Sequence, residues 1–238
     1  MRILFRKGLA LLTSFLFILI GILAYPVSAR ETIGVYSKAS TGEKVIAFTF
    51  DDGPHPYYTD QILEVLEHEN VHATFFEIGV NIAAYPDVTR RVVAAGHEIG
   101  NHSYTHPIGR AKETSIWEEE IRKTDKLLAE LGIQSPSLFR PPQGKCPVGL
   151  SSLLETTDKI AILWNVDTRD WEHRTTDEII REVEENVRGG DIVLFHDYVS
   201  AESTTIPAIK KLIPALKERG YQFVTVSELL DTYVFKNH

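Results

Sequence analysis

Along this chain, short apolar runs rich in β-branched and aromatic residues alternate with longer stretches whose apolar positions recur every third and fourth residue. The first pattern reads as buried strands and the second as amphipathic helices. Strands are predicted at 45–50, 73–78, 97–100, 138–139, 160–166, 192–195 and 222–226. Helices are predicted at 59–69, 86–95, 115–131, 150–156, 176–187 and 206–219. Thr176 is expected as an N-cap, with Gly189-Gly190 as the stop that follows its helix. Such alternation predicts a mostly parallel α/β sheet with outer helices, either doubly wound or closed into a barrel. Seven strands favour an incomplete barrel. Residues 44–238 read as one domain, and the polar stretch 30–43 as a linker or an edge hairpin.

The first 29 residues break the pattern. Arg2, Arg6 and Lys7 precede an apolar run over 9–25, and Val27-Ser28-Ala29 offers the small residues a signal peptidase reads. This reads as an export signal; an uncleaved anchor is the rival, although the run falls short of the ~20 residues that span a bilayer comfortably. Either way the remainder is expected outside the cytoplasmic membrane, secreted or associated with the cell envelope, touching a membrane only through this segment. Its removal takes three of the 25 basic residues and none of the 33 acidic ones, leaving a formal charge of −11. A surface of that sign excludes nucleic acid as a partner. The single cysteine, Cys146, excludes an internal disulfide and reads as a small, partly buried apolar residue. A monomer is expected.

In either architecture a site gathers where strands end at their C-terminal side. Just past the predicted strands stand Asp51 and Asp52, His102 and His106, Arg140, Asp167, Asp170 and Trp171, and His196 and Asp197. Nearly every strand end therefore delivers an ionisable group to one rim. A histidine pair spaced by four can bring two imidazoles to one metal, and a carboxylate from another strand completes a three-ligand site with an open position for water. The adjacent Asp51 and Asp52 pose a separate problem. Neighbours in a strand point to opposite sides, so one environment does not readily serve both.

The segments "TFDDGP", "HSYTHP", "RPP", "DTRDW" and "LFH" occur in this order over roughly residues 44–230. Together they resemble the polysaccharide deacetylases of carbohydrate esterase family 4. The resemblance implies a distorted, incomplete (β/α) barrel, with Asp52, His102 and His106 as metal ligands and Asp51 as the general base. It implies that Arg140 pairs with that base and that a backbone N–H after the two prolines donates to the oxyanion. His196 would protonate the departing amine, oriented by Asp170, while Trp171 and Leu194 line the pocket for the acetyl methyl. The implied cofactor is a divalent metal, zinc by its ligand types, with Co2+, Ni2+ or Mn2+ as alternatives. The implied substrate is an acetylated polysaccharide, peptidoglycan first and chitin oligomers second. An O-deacetylase on acetylated xylan and a catalytically retired wall-binding protein are the alternatives. One position departs from the pattern: many members carry a tyrosine after the two prolines, where this chain has Gln143. A backbone donor survives that change, but the ring's contribution to the groove wall does not. His55, His68, His72, His97, His173 and His238 match no motif and are expected to be structural or exposed.

Overall fold

Val45–Gly53 is the longest strand and is buried on both faces, as a central strand of a parallel sheet covered by helices must be. In the computed structural model, which describes residues 34–107, 114–146, 148–198 and 202–235, this strand is β2. The elements run β1 (Val35–Tyr36), β2, α1 (Tyr58–His68), β3 (Thr74–Glu77), α2 (Gly79–Ala84), α3 (Pro86–Ala94), β4 (Glu98–Asn101), α4 (Thr114–Glu130) and β5 (Leu138–Phe139). After them come α5 (Leu150–Thr157), β6 (Ile160–Ile162), β7 (Val166–Asp167), α6 (Thr176–Asn186), β8 (Ile192–His196), α7 (Thr205–Glu218), β9 (Gln222–Phe223) and α8 (Val226–Tyr233).

The strands pair in the order β1-β6-β5-β4-β3-β2-β8-β7, every pair parallel, with β9 added to the start of β2. The stretch predicted as one strand over 160–166 is two. Its first half lies beside β5 and its second beside β8, at opposite ends of the path. Over the three residues between, the backbone changes partner: Leu163 N–H donates to Tyr36 O at 2.7 Å, and Asn165 N–H donates to Ile192 O at 3.2 Å. This switch bends the sheet round into the incomplete barrel expected from the alternation.

Other boundaries also differ from expectation. The described part of 30–43 is neither linker nor hairpin: Val35–Tyr36 adds a parallel edge strand on β6, and Ala39 N–H donates to Gly190 O at 2.8 Å. The N-cap of α6 is Thr175 rather than Thr176, in a capping box with Glu178. A second capping box, Thr225 with Glu228, starts α8 where the strand over 222–226 was expected to continue. Among the described residues no helix is long and apolar enough to cross a membrane; residues 1–29 lie outside them.

Strand parity sorts the core. Ile46, Phe48 and Phe50 point outward, where Phe50 stacks on Phe75 and Phe195 with ring centroids 5.1 and 5.6 Å apart, under α1, α6 and α7. Val45 and Ala47 belong to the other face, with Phe76, Leu138, Ile160 and Ile162. Each fully buried aromatic or aliphatic side chain contributes roughly 1.5–3 kcal/mol, enough to fix the register. That register sets Asp51 opposite His196 on β8 and Phe76 on β3, and Asn101 opposite Phe139. The residues that follow Asn101 and Phe139 are His102 and Arg140. The predicted rim is thus assembled by strand pairing.

Candidate active site

Thr49 and Asp51 share the parity of Val45 and Ala47, so both reach inward to one guanidinium. Arg140 is fully buried, and its Nη1 donates to Thr49 Oγ1 at 2.8 Å and to Asp51 Oδ1 at 2.6 Å. Its Nε and Nη2 donate to the carbonyls of Ile162 and Leu163 at 3.3 and 3.2 Å, and its plane lies 4.0 Å over the Phe76 ring. A surface arginine ahead of a proline turn has none of these partners. The planar fork of arginine suits such multiple anchoring, and lysine does not.

Parity would send Asp52 to the outer face, but the strand does not stay regular. The register of β2 against β3 shifts between Asp51 and Gly53, and Asp52 adopts a left-handed φ of 71°. This bulge re-aims the side chain. Asn81 of α2, an element not foreseen from the sequence, holds it by donating from Nδ2 to Asp52 O at 2.8 Å. The two adjacent carboxylates therefore face one imidazole: His102 Nε2 lies 3.7 Å from Asp51 Oδ2 and 3.5 Å from Asp52 Oδ1. The expectation that the acids simply point apart is corrected here, because the bulge brings the second round to the first one's side.

The histidine pair sits on a tight loop. Ser103 and His106 both take left-handed φ values, Ser103 N–H donates to Asn101 Oδ1 at 2.8 Å, and His106 N–H donates to Ser103 Oγ at 3.1 Å. From α4, Glu120 accepts from Tyr104 N–H, Thr105 N–H and Thr105 Oγ1 at 2.6–2.8 Å. His102 Nδ1 donates to Arg140 O at 2.7 Å, which leaves Nε2 free as a lone-pair donor. His106 Nε2 is 3.5 Å from the same Asp52 Oδ1.

Asp52, His102 and His106 each offer a ligand atom, and these atoms lie within 4.8 Å of one another. Asp52 Oδ1 is buried, has no hydrogen-bond partner and stands between the two imidazoles. An orphaned carboxylate oxygen flanked by two oriented imidazole nitrogens fits a divalent cation. Charge points the same way. Burial would raise Asp52, yet its contact with His102 and the surrounding histidines hold it at about 2. Burial would lower His102, but the Asp51 and Asp52 carboxylates outweigh it and raise it; burial and the neighbouring His102 lower His106.

Across the cavity, His196 ends β8. Its Nδ1 donates to Asp170 Oδ1 at 2.7 Å, its own N–H donates to Asp170 Oδ2 at 2.8 Å, and Thr205 Oγ1 donates to that oxygen at 2.7 Å. Burial works against the imidazolium, but Asp170, with Asp51 and Asp52 behind it, raises His196 to about 9. It is protonated at neutral pH.

A cavity of about 400 Å³ joins these groups. Asp51, Asp52, His102, His106, Gln143, Trp171, Leu194 and His196 line it, and Arg140 and Asp170 stand behind its wall. Gln143 sits in a short turn with φ 57°, and its Oε1 accepts from Lys145 Nζ at 2.9 Å. Trp171 is half exposed, whereas Leu194 is buried. Trp164 and Asp167 line the cavity as well. Trp164 escaped the sequence reading because it lies inside the stretch taken for one strand, and Thr49 and Thr205 because isolated threonines carry no signal. Cys146 is exposed, contrary to expectation, and does not line the cavity.

A polysaccharide deacetylase profile matches residues 38–159. The chain belongs to the polysaccharide deacetylase family. It is 40% identical over 190 residues to a peptidoglycan-N-acetylglucosamine deacetylase of Bacillus cereus, covering 79% of this chain and 89% of that one. Among solved structures it resembles the Bc1960 peptidoglycan N-acetylglucosamine deacetylase (TM-score 0.77, 31% identity, 83% of this chain and 92% of that one). It resembles equally in fold a carbohydrate esterase family 4 pseudoenzyme from Bacillus anthracis (TM-score 0.77, 29% identity, 84% of this chain and 69% of that one). A family that spans enzyme and pseudoenzyme makes the side chains, and not the barrel, the argument for chemistry.

Proposed function

We propose that this polysaccharide deacetylase is exported and removes N-acetyl groups from an acetamido-sugar polymer, peptidoglycan first and chitin oligomers second, releasing acetate. The observation that carries the reading is one cavity with a three-donor cation cradle and an unshared Asp51 oxygen on one side and a protonated histidine on the other. Asp52, His102 and His106 would hold a divalent cation, zinc by their donor types. When bound, such an ion supplies Lewis-acid polarisation of the carbonyl and lowers the pKa of water.

Asp51, anchored on Arg140 through Oδ1, keeps Oδ2 for the proton of the attacking water. The Gln143 N–H, which follows the two prolines, would donate to the developing oxyanion, since Pro142 has no N–H and the Gly144 N–H is given to Pro141 O. His196 then gives its proton to the amine nitrogen as the C–N bond breaks, and Asp170 holds its ring throughout. An amine leaves poorly without that proton, whereas an alcohol needs it less, so the protonated state of His196 favours the N-deacetylase over an O-deacetylase on xylan. Leu194 and Trp171 would receive the acetyl methyl.

The apolar run and small-residue site before Arg30 support export, which brings the enzyme to envelope glycans. N-terminal sequencing of the mature protein should then begin at Arg30, whereas Met1 in the membrane fraction would make the segment an anchor. The reaction is tested by acetate release from peptidoglycan, N-acetylglucosamine oligomers and acetylated xylan, with Asp51→Asn as the control. Release from an acetamido polymer alone supports the reading. No release from any polymer by metal-loaded, folded protein would make the retired wall-binding protein the better account.

A further inference from the structure

α4 buries Trp117, Ile121, Thr124 and Leu128, and Asp125, one turn past Ile121, sets a carboxylate on that same stripe. It meets Lys159, the residue before β6, which is buried. Lys159 Nζ lies 2.7 Å from Asp125 Oδ2 and donates to Pro136 O at 2.6 Å and to Ser135 Oγ at 3.1 Å, so every donor of the ammonium is engaged. Such a pair is weak evidence for stability, because apolar residues of similar volume often pack a wall of this kind as well. The other oxygen of Asp125 shows what else the pair does.

Asp125 Oδ1 accepts from Asn101 Nδ2 at 2.9 Å, and the same nitrogen donates to Ile121 O at 2.9 Å. Asn101 ends β4, is fully buried and immediately precedes His102. The two ends of its amide are alike in shape but opposite in hydrogen-bonding sense. A carboxylate and a carbonyl on the α4 side claim both N–H groups and so turn Oδ1 toward the loop, where it accepts from Ser103 N–H at 2.8 Å. Ser103 Oγ in turn accepts from His106 N–H at 3.1 Å. Asn101 O accepts from the N–H of Arg140, the residue whose carbonyl orients His102. One buried amide therefore stands behind both imidazoles.

Resting on the deacetylase reading and its cation cradle, we propose that Asp125, held by Lys159, is a positioning residue for the metal ligands: it fixes which way the Asn101 amide faces and, through Ser103, the loop that presents His102 and His106. Asn101, Asp125 and Lys159 do not line the catalytic cavity, so their influence reaches it only through that loop. Asp125→Asn keeps the size and shape of the side chain but leaves one acceptor where two are needed. Lys159 takes the oxygen, since a charge-assisted hydrogen bond is the stronger, and the amide nitrogen then meets Asn101 Nδ2 donor against donor. Turning the Asn101 amide over relieves that clash and creates another, against Ser103 N–H. Either way the loop loses a bond.

Zinc affinity of the full-length protein, measured by chelator competition well below the melting temperature, should fall about 10- to 100-fold in Asp125→Asn, the usual cost of losing a supporting contact around a metal site. Adding Asn101→Asp restores an acceptor to Ser103 N–H and one to the amide at 125, so the double variant should bind zinc more tightly than either single variant. Arg122→Ala is the control: it cuts a link from α4 to Thr156 O that does not reach the loop, and zinc affinity should stay at the wild-type value whatever happens to Tm. Wild-type affinity in Asp125→Asn, or an equal loss in Arg122→Ala, would overturn the proposal. Hydrogen exchange at the Ser103 and His106 amides of metal-free protein reads the loop without the ion, and Asp125→Asn should speed it. Faster exchange in that variant, where the wild type binds no zinc, would sink the metal reading and keep Asp125 as the residue that positions the loop. Unchanged exchange would sink the positioning role, and a wild type that binds zinc would still keep the metal reading.

Discussion

Because Asp51 keeps the inward parity of β2 while Asp52 leaves it through a left-handed bulge, the two carboxylates reach one imidazole from different backbone geometries. The division of labour that follows is open to direct test. Asp51→Asn should reduce acetate release by about 10²–10⁴-fold, the range for a lost general base, with metal content unchanged. Asp52→Asn should lose the metal too; if Asp51→Asn is the variant that empties the site, the two assignments are exchanged. His196 gives a pH signature. Held at about 9, it is charged at neutral pH and loses its proton as pH rises, so kcat should fall along an alkaline limb near 9. Asp170→Asn removes the main opposing influence and leaves burial in charge, so the limb should move to lower pH. A limb that stays in place would detach Asp170 from the acid. At this scale the sequence was legible wherever a residue belonged to a motif. It was silent on Thr49 and Thr205, whose hydroxyls matter only because the fold buries them against Arg140 and Asp170.

Among the elements, the loop bearing His102 and His106 depends on α4. Glu120 takes three donors from Tyr104 and Thr105, and no other described side chain bonds those two N–H groups. Glu120→Ala should lower metal affinity about 10- to 100-fold, the usual cost of losing a supporting contact around a metal site, and Glu120→Gln should recover part of it. Equal affinity in all three proteins would show that Ser103 and Asn101 suffice to hold the loop. The central strands and most helices were readable because buried apolar periodicity specifies them. Three features were not. α2 is six residues long and too brief for a period to show; the β-branched run over 222–226 outweighed the Thr225 capping box that starts α8; and the break between β6 and β7 arises from a change of hydrogen-bonding partner that no local pattern encodes.

For the molecule as a whole, buried ionisable groups link folding to pH. Burial raises Glu77 to about 8 and Asp197 to about 7, and each keeps one oxygen without a hydrogen-bond partner. A carboxyl whose folded pKa lies above its unfolded value holds its proton more tightly when folded. The stability Glu77 contributes is therefore complete below its unfolded value of 4.5 and is lost as pH rises toward 8. His196, raised from 6.5 to about 9, contributes fully below 6.5 and loses that contribution through 9. Both effects act in one alkaline direction, so Tm should fall steeply between neutrality and pH 9. Glu77→Gln keeps an acceptor for Thr89 and removes one of them: its Tm should match wild type near ~pH 5 and exceed it at ~pH 9, by on the order of a few kcal/mol in stability. A constant offset at both pH values would mean that Glu77 does not carry its proton in the fold.

The left-handed backbone at Asp52 also bears on how such a protein can change over evolutionary time. That conformation is open to aspartate, asparagine and glycine and strained for most other residues. A single codon step to glycine would delete the ligand oxygen, and one to asparagine would strip the carboxylate of its charge; both leave the bulge undisturbed. The barrel can thus be silenced without being unfolded, and a lineage can keep the glycan-facing surface while discarding the hydrolysis.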